Sequence, residues 1–189
     1  MRILNKTMSS KEYLQTYLKS YNSLINDSSV TDEIIHIKNI FKQTSENGKK
    51  VILAGNGGSA AMASHVAVDI TKNAGIRAVN FNEYDLITTL ANDYGYENWI
   101  SKGIEFYYDP GDIVVLISAS GQSKNVLNAA ETAKSLGLKT ITFSGFKEIN
   151  PLRELGDINL WVDSNIYNIV EMTHHIWLLA IVDMIINEN

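Results

Sequence analysis

The chain has 189 residues, enough for one domain with a sizeable core, and its 45% hydrophobic and 20% charged residues are ordinary for a globular protein. It has no cysteine, which excludes disulfides and thiolate metal sites, and a formal net charge of −5 argues against a broad nucleic-acid-binding face. The opening residues, MRILNKTMSSKEY, carry no signal-peptide apolar region, and the apolar run Ile176–Val182 is bracketed by His174, His175 and Asp183, too short to span a bilayer. The expectations are therefore no nucleic acid, no membrane and a cytoplasmic setting.

Ser9 to Asn26 reads as a first helix, with Ser9 and Glu12 as a capping box and Leu14, Tyr17, Leu18, Tyr21 and Leu24 as its apolar stripe. Thr31 is the expected cap of a second helix, whose apolar face is Ile34, Ile37, Ile40 and Phe41 and whose stop is Gly48. Val51–Ala54 suits a buried strand and Ala60–Val68 a helix, joined by Gly55-Asn56-Gly57-Gly58-Ser59. Ala78–Phe81 is a strand, and Asp85–Ala91 and Asn98–Tyr108 are helices. Asp109-Pro110-Gly111-Asp112 is a turn before the β-branched strand Ile113–Ile117. A helix follows to Leu136, closed by Gly137; Lys139–Phe143 and Ile158–Val162 are strands, with a Gly/Pro-punctuated segment between them. Asn165–Asn187 is a last helix, apolar on most of its circumference. The alternation from residue 50 onwards predicts an α/β fold: a parallel sheet with right-handed crossovers, covered by helices. The two N-terminal helices must then pack outside the sandwich or on another subunit, and the apolar last helix suggests burial in a core or a homo-oligomeric interface.

Two loops carry the chemistry. Strand, glycine turn and helix aim free backbone N–H groups and a helix N-terminus at an anion, so Asn56, Gly57, Gly58 and Ser59 form a candidate phosphate cradle. Ser118, Ser120 and Ser123 place three more hydroxyl donors around Gly121 at the end of the next buried strand. In an open parallel sheet such loops converge at the carboxyl ends of the strands. The first loop also fits a dinucleotide fingerprint as Gly55-x-Gly57-x-x-Ala60, with Glu83 as the ribose acid. Asn56, Ser59 and the serine-rich second loop favour a compact phosphorylated ligand, so no nucleotide cofactor is expected. His65 and Asp69, at i and i+4, share one face of the helix behind the first loop.

At these residues the chain resembles a sugar-isomerase (SIS) domain and, within that superfamily, the phosphoheptose isomerases. The resemblance rests on GNGGSAA (55–61) with His65, AND-YGY (91–96), GD-strand-SASGQS (111–123) and YNIVEMTHH (167–175), covering most of residues 50–180. It implies a three-layer αβα sandwich with a flavodoxin-like parallel sheet, as one domain over 1–189 with a helical segment at 1–48 and the core at 49–189. It also implies a homotetramer with sites between subunits, often holding zinc. The implied reaction interconverts sedoheptulose 7-phosphate and D-glycero-D-manno-heptose 7-phosphate through an enediol, towards heptose for bacterial surface polysaccharides. By position, Asn56 and Ser59 would contact the sugar phosphate, Ser118, Ser120 and Ser123 the phosphate, and Asn92 and Asp93 the sugar end. His65 would fall on the metal-ligand histidine and Asp69 on the catalytic glutamate, making His65 and Asp69 the candidate zinc ligands.

The chain also departs from the pattern. Ala119 replaces a hydroxyl residue, Val170 stands where a glutamine ligand is expected, and Leu178 where a second catalytic histidine is expected. His174, four residues from each, shares their face and is the candidate replacement, giving a cluster of His65, Asp69 and His174 with Asp69 or His174 as the base. The alternative for His174 is an ordinary helix residue, which is the reading given to His175. The losses also leave open a non-catalytic phosphosugar-binding or scaffolding role, as in relatives that bind a replication initiator, or an isomerase of another phosphorylated sugar.

Overall fold

A computed structural model describes residues 8–188; the reading of the first seven residues lies outside them. The elements are α1 (Ser10–Ile25), α2 (Thr31–Glu46), β1 (Val51–Gly55), α3 (Gly58–Lys72), β2 (Ala78–Asn80), α4 (Tyr84–Tyr94), α5 (Trp99–Tyr107), β3 (Ile113–Ser118), α6 (Lys124–Ser135), β4 (Lys139–Gly145), α7 (Pro151–Leu155), β5 (Ile158–Val162) and α8 (Tyr167–Glu188). The five strands form one sheet in the order β2-β1-β3-β4-β5, every pair parallel. This is the flavodoxin-like order, with its switch point between β1 and β3. The loops after those two strands therefore open side by side into one crevice.

Alternate residues of the central strands feed two cores, as the period of two demands. Val51, Leu53, Val115, Ile117, Ile141 and Phe143 face α2, α3 and α8, whereas Ile52, Ala54, Val114 and Leu116 face α4, α5, α6 and α7. At α1 the capping box forms: Ser9 Oγ accepts from Glu12 N–H at 3.3 Å and Glu12 Oε2 accepts from Ser9 N–H at 2.8 Å. Thr31 is not a cap. It is the first residue of α2, because a 3₁₀ turn, Ser28–Val30, capped by Asp27, already directs the chain into the helix. The Gly/Pro segment holds the short α7, capped by Asn150, whose side chain accepts from Arg153 N–H at 3.0 Å. The N-terminal helices pack on α8, α2 as part of the larger core.

By length and a mean hydropathy of 1.6, α8 is apolar enough to cross a membrane, but half of that stretch is buried in the protein. Its Ile169, Val170, His174, Trp177, Leu178 and Ile181 are buried. Val170 and Leu178 are fully covered, and Val170 presses on Gly145, where a Cβ would lie 2.7 Å from its Cγ1. These two positions belong to the core face of α8, so they do not border the cleft.

His174 lies on that same face. It is fully buried, Nε2–H donates to the Ser144 carbonyl at 2.9 Å, and Nδ1 has no partner among the described residues. Burial lowers its pKa from 6.5 to about 4, opposed by the Ser144 bond. A neutral histidine of this kind takes up a proton on unfolding between the two values, so stability falls as pH drops from 6.5 towards 4 and levels off below. The expected loss is about 3 kcal/mol at the 1.36 kcal/mol per unit of linkage. Denaturant midpoints measured from pH 7 to pH 4 should show it, and His174→Leu should remove that part of the slope.

Candidate active site

The first loop is shaped by its glycines. A Cβ on Gly55 would lie 2.7 Å from Ser59 Cβ and 2.9 Å from the Ile117 carbonyl, so the turn sits tightly between β3 and α3. Gly57 precedes α3 with φ 54 and ψ −121, a backbone that L side chains avoid. The first intrahelical bonds of α3 run from Ala60 N–H to the Asn56 carbonyl (3.3 Å) and from Ala61 N–H to the Gly57 carbonyl (3.0 Å). The amides of Gly58 and Ser59 precede them and are directed out of the helix end, available to an anion. Ser59 is buried, with its Cβ packed beneath Gly55.

In the second loop Gly121 N–H bonds the Ser118 carbonyl at 2.9 Å, Ser118 Oγ donates to Ser123 Oγ at 3.1 Å, and Gln122 N–H donates to Ser120 Oγ at 3.3 Å. The three serines are thus gathered on one short turn. A reciprocal amide pair ties the two loops together: Asn56 Nδ2 donates to Asn125 Oδ1 at 2.9 Å and Asn125 Nδ2 to Asn56 Oδ1 at 2.8 Å. Tyr96 Oη adds a third bond to Asn56 Oδ1 at 3.2 Å. Asn56 therefore positions the loops, and the buried Asn125 is a residue that the sequence reading missed. Asn125→Ala should remove about 1–2 kcal/mol of buried hydrogen bonding, a factor of roughly 5–30. That factor should appear as a raised KM for sugar phosphate and weaker inhibition by inorganic phosphate, with a smaller change in kcat.

Two turns along α3 lies a titratable cluster. His65 Nε2 is 3.2 Å from Asp69 Oδ2, and His65 Nδ1 is 3.0 Å from His175 Nε2 on α8. Asn73 Nδ2 holds the other Asp69 oxygen at 3.1 Å. Asp69 accepts from the Nε2 side of the ring, and Nδ1 shares a hydrogen bond with His175. The pKa of His175 is pushed down, chiefly by burial and next by His65, with Asp69 opposing. The expected cluster of His65, Asp69 and His174 is corrected: His175 is the member from α8, while His174 points into the core against Ser144.

One turn before His175, partly buried Glu171 brings its carboxyl against Gly58, and burial raises its pKa. Glu171 and His175 form an i, i+4 pair on the face of α8 that meets α3, a spacing present in the sequence but not set apart there from the neighbouring Thr173 and His174. Asn92 and Asp93 lie on the exposed last turn of α4 and bond one another at 2.9 Å; neither bonds the loops. Of that stretch, Tyr96 is the residue that reaches the cradle.

The residues do not fit zinc as this chain arranges them. A zinc site needs three or four converging donors. His65 turns one ring nitrogen to Asp69 and the other to His175, so these three run as a chain rather than converging on one point. Val170 and Leu178 are core residues, and among the described residues no group of three or more His, Asp or Glu side chains is arranged to hold an ion.

Twin anion loops at the switch point of a 2-1-3-4-5 sheet, with an acid–base cluster two turns behind them, define an α/β protein that acts on a small phosphorylated molecule. A model of the SIS domain matches residues 13–145. The chain is 37% identical to a phosphoheptose isomerase of Aliarcobacter butzleri over 77% of this chain and 80% of that one. It is 32% identical to a phosphoheptose isomerase of Helicobacter pylori over 97% and 93%. The structure of a phosphoheptose isomerase from Francisella tularensis superposes with a TM-score of 0.87 at 25% identity, covering 96% of this chain and 100% of that one. The chain belongs to the SIS domain family and, within it, to the phosphoheptose isomerases.

Proposed function

We propose that this isomerase interconverts sedoheptulose 7-phosphate and D-glycero-D-manno-heptose 7-phosphate through an enediol, in the cytoplasm. The observation that carries the reading is the pairing of two tied anion loops with the His175–His65–Asp69 chain on the helix that follows the first loop. The phosphate is held by the Gly58 and Ser59 amides and by Ser118, Ser120 and Ser123, binding energy spent far from the reacting carbons. Asp69 removes the proton from the carbon next to the carbonyl and returns it to the neighbouring carbon; His65 holds Asp69 in position. Such proton transfer supplies ~10²–10⁴-fold of rate.

The reading includes a homo-oligomer, a tetramer by family resemblance. Exposed Tyr13, Leu14 and Leu18 on α1 support it, as do Val68 and Met172 on the helices that carry the cluster, because apolar side chains grouped in this way call for a cover. The test is direct isomerisation of sedoheptulose 7-phosphate, run with added zinc, without it and with chelator. Turnover that survives the chelator fits the donor geometry. No turnover in protein that binds the sugar phosphate would overturn the substrate assignment in favour of another phosphorylated sugar or a binding role.

A further inference from the structure

Glu171 stands where electrostatics would not place a carboxyl group. The glycine loop and the N-terminus of α3 favour negative charge from a ligand, yet a protein carboxyl already borders them. Gly58 is what admits it: a Cβ there would lie 2.8 Å from the Glu171 carboxyl carbon and 3.0 Å from Oε1. Gly58 lies within the helix with no left-handed backbone to satisfy, so its missing side chain makes room for this group. Burial pushes the Glu171 carboxyl towards its protonated form, and among the described residues no cation or hydrogen-bond donor pairs with it.

Its place along α3 indicates its task. Gly58 and His65 are two turns apart on α3, about 10 Å along the axis at 1.5 Å per residue. The phosphate loops lie at the Gly58 end and the His65–Asp69 pair at the other. A 2-ketoheptose 7-phosphate closes its ring from C2 to the oxygen of C5 or C6. The ring oxygen therefore belongs to a carbon near the phosphorylated C7, whereas the carbons that exchange hydrogen are C1 and C2. With the phosphate in its loops, the ring oxygen falls at the Glu171 end.

Resting on the isomerase reading above, we propose that Glu171 is the catalytic acid that opens the sugar ring. Its proton passes to the ring oxygen as the C2–O bond breaks and the bonding pair leaves on that oxygen. The anomeric hydroxyl gives its proton to solvent and becomes the C2 carbonyl, and solvent then reprotonates Glu171. Asp69 works afterwards, on the open chain. Ring opening and carbon proton transfer are thus assigned to different helices.

The test separates these two steps. In Asp69→Asn protein, which cannot move the carbon-bound proton, exchange between the anomers of sedoheptulose 7-phosphate is followed by carbon-13 exchange spectroscopy. Acceleration over buffer is expected. Adding Glu171→Gln, which preserves shape but not acidity, should cut that acceleration at least ~10²-fold. Glu171→Asp should restore part of it, and the melting temperatures should match. Exchange in the Gln protein within threefold of its parent would overturn the assignment, as would a parent that binds the sugar without accelerating exchange. If wild-type protein accelerates exchange through Glu171 but forms no aldose, the isomerase reading fails and the ring-opening role stands.

Discussion

Asp69→Asn is expected to leave a folded protein that binds sugar phosphate with KM within a few-fold of wild type and turns it over ~10²–10⁴-fold more slowly. The amide fills the same space between His65 and Asn73, so the cluster remains assembled while its proton acceptor is lost. Loss of kcat with retained binding is the signature of an interaction made only in the transition state. Steady-state kinetics, titration calorimetry with the sugar phosphate and deuterium wash-in from heavy water all report on it. Unchanged kcat or undiminished wash-in would move the base elsewhere in the cleft, with His175 the next group in line.

The second large effect concerns stability and lies at the opposite end of the sheet. The Asp112 side chain is fully covered and accepts from Lys50 N–H at 2.9 Å, Asp109 N–H at 2.7 Å and Lys50 Nζ at 2.5 Å. Lys50 Nζ also reaches Asp109 at 2.8 Å. This knot joins the starts of β1 and β3, the two central strands. Asp112→Ala leaves a largely buried ammonium ion with one partner and strands two backbone donors, and breaking a buried pair in this way costs about 3–5 kcal/mol. For a chain of this size the melting temperature should fall by roughly 6–20 °C. The variant's kcat at 20 °C should be near wild type, because the proposed site is at the carboxyl ends of the strands. A fall of less than 2 °C would show that the pair adds nothing beyond its own desolvation.

Much of this was legible in the sequence. The Gly55–Ser59 turn and the Ser118–Ser123 turn are backbone chemistry, written in glycine and serine next to apolar runs, and both lie where the strand–helix alternation puts them. The capping box of α1 was readable because it is local. What failed was orientation within α8. A helix that is apolar nearly all round has no contrast to mark its buried face, and adjacent residues point about 100° apart at 3.6 residues per turn. His174 and His175 were therefore interchangeable on paper, and only the packing of Val170 on Gly145 and of His174 on Ser144 decides between them. Asn125 escaped notice because its partner, Asn56, is 69 residues away. The five-residue α7 was missed because it is too short to show a period.

The position of α8 in the chain has a consequence for biosynthesis. This helix forms a wall of the larger core, yet it follows every strand and helix that it covers. While the ribosome is still making the preceding residues, α2 and α3 alone cover that side of the sheet, and the apolar surface that α8 will bury stays open. The nascent chain must therefore pass through a sticky, half-closed stage that ends only when Tyr167–Glu188 clears the exit tunnel. A stop codon before that helix would yield a chaperone client rather than a smaller working enzyme.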